Sequence, residues 1–191
     1  MPVTTQQQFP IHLAVIVGST REGRFGGTVG QWFAAEAAAR GDLSVDVIDL
    51  AETHLPAEYP QRPGPEVTAY RDRLELADAF VVVTPEYNHS FPAGLKQAID
   101  LANHEWHRKP VGFVSYGGMS GGLRAVEHLR GVFAELHAVT IRDVVSLHHV
   151  WPMFDEAGAP KEPAATAAAV TTMLDHLVWW ATALRTARQA A

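Results

Sequence analysis

Three short segments carry residue types whose spacing suits binding chemistry. The first runs Gly18-Ser19-Thr20-Arg21-Glu22-Gly23-Arg24-Phe25-Gly26-Gly27. Glycines let the backbone turn sharply with its N–H groups facing inward, and Ser19 and Thr20 add hydroxyl donors. Arg21 and Arg24 add guanidinium groups that can each grip an anion through two bonds, and a helix opening just beyond would add its positive end. That is equipment for a phosphate dianion. The spacing is not G-x-G-x-x-G, so a dinucleotide fingerprint is not supported. It follows G-x-x-x-x-G-K-[ST] only halfway, with Arg24 in place of the lysine and Phe25 in place of the Mg²⁺-binding hydroxyl, which sets nucleoside triphosphate hydrolysis aside. The plainer alternative is a Gly-rich turn with solvated arginines.

The second segment is Thr84-Pro85-Glu86-Tyr87-Asn88-His89-Ser90-Phe91-Pro92. Pro85 and Pro92 stiffen it, so its amides can be held in place, and Tyr87 offers an aromatic surface. A flat heteroaromatic ring with acceptors along one edge suits such a loop. The third, Ser115-Tyr116-Gly117-Gly118-Met119-Ser120-Gly121-Gly122, has four glycines in eight positions. It permits close approach of backbone to a ligand, or else simple flexibility. Convergence of all three would mean more than any one.

Other candidates read more plainly. Glu86 and His89 are weak candidates for proton delivery, and solvated loop residues are the favoured reading. His148-His149 and the pair His104 and His107 lack the further ligands of a zinc site, and there is no H-E-x-x-H, so no metal is expected. With no cysteine in the chain, thiol nucleophiles, disulfides and iron–sulfur clusters are excluded, and any redox role needs a bound cofactor. Trp151, Phe154, Trp179 and Trp180 read as core packing, with one of the adjacent pair 179–180 on the sheet and the other at a partner surface or half exposed.

The elements that must position these segments alternate along the chain. Strands are expected over residues 11–17, 43–50 (near a sheet edge), 79–84, 111–115 and 138–147, helices over 30–40, 67–77, 93–103, 123–136 and 163–188. The Pro-rich stretch 55–65 reads as a surface loop. Such β-α alternation predicts a doubly wound α/β domain with a parallel sheet and helices on both faces. Ligands of such sheets bind beyond the carboxyl ends of the strands, where all three segments fall. The whole chain, 1–191, is expected to be one domain with a polar arm over about 1–9.

The formal net charge of -6 disfavours a nucleic-acid partner. The first ten residues have no basic n-region or apolar h-region, and 170–184, the most apolar late stretch, contains Asp175 and His176 and is too short to span a bilayer. A cytoplasmic protein with no membrane span is the expectation.

The segments 18–24 (GSTREGR), 85–100 (PEYNHSFPAGLKQAID) and 115–130 (SYGGMSGGLRAVEHLR) resemble the NADPH-dependent FMN reductase family, the flavodoxin-like branch that includes azoreductases and quinone or chromate reductases. The resemblance extends over about residues 11–147. It implies five parallel strands in the order 2-1-3-4-5, with Ser19, Arg21 and Arg24 holding the FMN phosphate. It also implies that Pro85, Glu86, Tyr87 and Asn88, and Ser115, Tyr116, Gly117 and Gly118, border the flavin ring. No side chain would be catalytic in the strict sense, because flavin N5 carries the hydride. NADPH or NADH would be the co-substrate; the acceptor would be free flavin, a quinone, an azo compound or a metal oxyanion. The resemblance also implies a homodimer or homotetramer. Many relatives carry Ser and Asn where this chain has Phe25 and Gly26, and residues 151–163 match nothing in the family. The rivals are a flavodoxin-type electron carrier, against which the two loop arginines and modest acidity argue, and a binding module that has lost its cofactor, against which Ser19, Arg21, Arg24 and Asn88 argue.

Overall fold

The computed structural model describes residues 10–190, so the expected arm over 1–9 lies outside the described residues. Strands β1 (Ile11–Val17), β2 (Leu43–Asp49), β3 (Ala79–Pro85), β4 (Pro110–Gly117) and β5 (Val139–His148) alternate with helices α1 (Gly26–Ala38), α2 (Pro65–Leu76), α3 (Ala93–Asp100), α4 (Leu123–Glu135) and α5 (Pro163–Gln189). The sheet is parallel throughout in the order β2-β1-β3-β4-β5. The chain leaves β1 towards one edge and returns through β3 on the other side. The crevice between the carboxyl ends of β1 and β3 is therefore the topological switch point.

Strand composition follows position in the sheet. All seven residues of central β3 are buried, whereas β2 alternates as the expected edge strand. Successive side chains of β1 serve opposite cores. Leu13 and Val15 pack with Val29 and Phe33 of α1 and Met173 and Leu177 of α5. Ala14 and Ile16 pack with Tyr70 and Leu74 of α2, Leu95 of α3 and Phe133 of α4. At the amino end of the sheet Asp78 accepts hydrogen bonds from His12 N, Arg185 Nη1 and Arg188 Nη2 at 3.0–3.2 Å, tying the end of α5 to β1 and β3.

Boundaries differ from expectation in informative ways. Helix α1 opens at Gly26 instead of 30, because burial of Val29 overrides the poor helix propensity of the glycines. Helix α3 ends at Asp100; a separate 3₁₀ turn, His104–Trp106, then buries Trp106, whose indole donates to Ile99 O. Strand β4 runs on to Gly117, so Tyr116 belongs to the sheet and not to a loop. The core reading of the late tryptophans fails. Trp179 and Trp180 are 62% and 37% exposed and pack edge-to-face on each other. The stripe Val170, Met173, Leu174, Leu177 and Ala181, at helical spacing, fills the inner face of α5 and leaves both indoles off it. Among the described residues no helix is long and apolar enough to cross a membrane.

Candidate active site

The three segments meet. A cleft of about 250 Å³ is lined by Arg21 to Phe25, by Pro85, Glu86 and Tyr87, by Tyr116, Gly117 and Gly118, and by Trp151. Of two larger hollows, of about 440 and 310 Å³, the first takes only Thr20 from the three segments and the second none of their residues. The smaller cleft is the candidate because it gathers all three loops.

The end expected to take a phosphate is built by β1 and α1. Phe25 occupies the N-cap of α1 without a side-chain bond, and no acidic residue lies in the first turn. The positive end of a thirteen-residue helix is thus left for an anion. Arg21 is exposed and makes no side-chain bond to the described residues. Arg24 is half committed: Nη2 pairs with Asp49 at 2.6 Å, while Nη1 is buried without a partner. Asp49, at the end of β2, was not foreseen, although an acidic residue closing the neighbouring strand was a legible signal.

The end expected to border a flat ring is built by β3 and β4. Tyr116 Oη is buried without a hydrogen bond, and burial pushes its pKa well up. A Cβ on Gly26 would come within 2.6 Å of that hydroxyl, so glycine is what lets α1 close over β4. Ser19, fully buried, lies one bond behind the cleft wall, its hydroxyl 2.9 Å from Tyr87 Oη. Asn88 does not line the cleft. Tyr87 and Ser90 exchange backbone bonds around Asn88 and His89, both at positive φ, so Asn88 serves a tight turn of the type its short amide tolerates. Ser115 is likewise outside the cleft, donating to Gly121 O. The glycine segment is not loose. Ser115 and Ser146 both donate to Gly121 O, and Gly122, at φ +83, lies so close to Ser115 that a Cβ there would sit 2.7 Å from that residue's own.

Glu86 corrects the sequence reading. It is not a solvated loop residue: its carboxylate is 7% exposed, accepts from Ser120 Oγ at 2.7 Å and from Arg124 N at 3.2 Å, and pairs with the Arg124 guanidinium at 2.6 Å. Burial pushes this carboxyl up, but the Ser120 bond and the Arg124 charge outweigh it and hold its pKa below the ordinary value. A carboxylate so held is ionised near neutrality and carries no proton to deliver. His89 is exposed, 3.3 Å from Arg124 Nη1. His148 and His149 are also exposed, and His148 Nδ1 lies 2.9 Å from Met119 O. Trp151 is the cleft's unforeseen member, and Arg124, outside its lining, is the unforeseen partner of Glu86. Arg124 lay within the third segment, four residues past Ser120; nothing in the sequence distinguished Trp151 from the other tryptophans.

The family described as NADPH-dependent FMN reductase matches residues 11–152. The chain belongs to this family. Two curated relatives illustrate the range. An NAD(P)H-dependent FMN reductase of Schizosaccharomyces pombe is 35% identical over 62% of this chain and 65% of its own length. A probable NADPH:quinone oxidoreductase of Oryza sativa is 36% identical over 78% of this chain and 81% of its own. Among solved structures, the Paracoccus denitrificans flavoenzyme FerB, an NAD(P)H:(acceptor) oxidoreductase, superposes with a TM-score of 0.72 over 90% of this chain and 97% of its own at 23% identity, which speaks for the fold. The expected family and strand order both stand, and with the family come FMN as cofactor and NAD(P)H as electron source. The donor set fits that cofactor: an unpartnered guanidinium nitrogen and an uncapped helix end suit its phosphate, and an unpartnered tyrosine hydroxyl beside glycine backbone suits a polar flat ring.

Proposed function

We propose that the cleft over β1, β3 and β4 holds FMN, with Arg21, Arg24 and the N-terminus of α1 at its phosphate and residues 85–87 and 116–118 along its ring. When bound, FMN supplies the hydride relay between a reduced nicotinamide and an acceptor. The protein binds, orients and shields. The observation that carries this reading is the unpartnered Nη1 of Arg24 at the mouth of an uncapped helix, in one cleft with Tyr87 and Tyr116. Ser19 acts through Tyr87, whose hydroxyl it holds; Asn88 acts by shaping the turn that carries Tyr87. Glu86 is a positioning residue that fastens the start of α4 to the loop after β3. The acceptor is a small oxidised molecule, in line with the quinone chemistry named for the rice relative. The enzyme works in the cytoplasm as a homodimer or homotetramer, for which the bare Trp179–Trp180 pair on α5 is one available surface.

The test is to saturate the protein with FMN and mix it anaerobically with NADPH, then NADH, recording flavin absorbance. Bleaching to the two-electron reduced form is expected. FMN that binds but stays oxidised with both nicotinamides would leave only an electron carrier, and no FMN binding would remove the reading altogether.

A further inference from the structure

Residues 149–161 follow β5, and the family match ends at 152 within this segment, yet the segment is built into the cleft. His149 N donates to Gly118 O at 2.9 Å and Val150 N to Gly117 O at 3.1 Å, so its start is bonded to the glycine wall. Phe154, buried, packs edge-on against Trp32 and against Phe25 of the phosphate loop, at 5.6 Å from each. Met153 O accepts from Lys161 N at 2.8 Å, and Phe154 bridges to Pro160, which closes the segment on itself. Between these two anchors the 3₁₀ turn Trp151–Met153 holds Trp151 at the cleft, where it is a wall residue and still 60% exposed. A large aromatic side chain held by rigid backbone on both sides, with its apolar face left to solvent beside Tyr87 and Tyr116, forgoes burial that Phe154 gains three residues later. Such a face suits a flat guest.

We propose that Trp151 is a specificity-determining residue that stacks on planar aromatic acceptors such as quinones and discriminates against compact ones. This rests on the cleft being the FMN site, and it assigns to the segment after β5 the outer wall of the acceptor subsite. Stacking by a rigid indole favours rings of matching area through dispersion and an offset or edge-to-face arrangement, and gives nothing to a small inorganic anion.

The experiment measures binding without turnover. Oxidised FMN-loaded enzyme, with no nicotinamide present, is titrated with 1,4-naphthoquinone by calorimetry, in the wild type, Trp151→Ala, Trp151→Phe and Tyr59→Ala, a control aromatic residue equally exposed outside the cleft. FMN affinity of each apoprotein is measured separately by quenching of flavin fluorescence. Loss of one aromatic stack corresponds to roughly a 3- to 10-fold weakening. Trp151→Ala is expected to raise the naphthoquinone Kd by that factor with FMN affinity kept, Trp151→Phe to restore most of it, and Tyr59→Ala to change nothing. In turnover the KM for naphthoquinone should rise more than that for ferricyanide. An unchanged naphthoquinone Kd in Trp151→Ala that still binds FMN overturns the proposal and leaves the FMN site standing. A matching loss of FMN affinity also overturns it, by placing the indole on the cofactor. Wild-type protein that binds no FMN removes both readings.

Discussion

At the scale of single residues, the cleft is governed by which polar atoms are already satisfied. Glu86 is saturated by Ser120 and Arg124, and Arg24 keeps one free nitrogen after pairing with Asp49. The pH consequence follows for Glu86. Its folded pKa lies below the ordinary value, so its contribution to stability is present above the unfolded pKa and is lost as pH falls through the folded one. Glu86→Gln should therefore lower stability at pH 7 by about 1–3 kcal/mol, because the Arg124 guanidinium loses its carboxylate. The gap to the wild type should narrow as pH drops below about 4. Urea denaturation at both pH values reads it; a gap that stays constant would show that the carboxylate's charge is not what matters. The types of these residues were legible in the sequence, and their partners were not. Asp49 is 25 positions from Arg24, and Arg124 is 38 from Glu86; only the sheet brings them together.

At the scale of elements, α1 approaches β4 closely at the site. Gly26→Ala would press a methyl group on Tyr116 Oη, at 2.6 Å, so one element must give. A cost of about 1–3 kcal/mol is expected, outweighing the gain in helix propensity. Most of it should disappear in the Gly26→Ala, Tyr116→Phe double variant, which frees the space of the hydroxyl. A double-mutant cycle by urea unfolding measures the coupling, and additive effects would mean that the helix shifts instead. Element identity and order were readable because buried strands such as β3 and the periodic α4 leave strong patterns. The start of α1 was not, since Gly26 and Gly27 read as loop until packing is counted. Residues 151–163 gave no pattern because their order comes from two anchoring contacts with distant loops and not from local propensity.

At the scale of the whole molecule, Asp78 joins β1 and β3 to the end of α5 and so secures the longest helix to the sheet. Asp78→Asn removes the charge from a buried group facing two guanidinium groups. It should cost about 2–4 kcal/mol, lowering the thermal midpoint with FMN affinity unchanged. Calorimetry with a parallel flavin titration checks it, and a loss of FMN binding would show that the two ends of the sheet are coupled. The alternation of strands and helices made this architecture legible from composition and spacing, but an ion cluster at 78, 185 and 188 has no local signature.

The ionic fastening and the cleft lie at opposite ends of strands that span roughly 23 Å. Distance of that order usually makes energetic effects add instead of interact. Selection for new acceptors, acting on Trp151 and the loops, is thereby free to proceed without eroding the fastening. A lineage that loses a fraction of its robustness in the cleft can regain it at the far edge, by changes no substrate ever meets. The same separation offers a protein engineer two independent dials on one small domain.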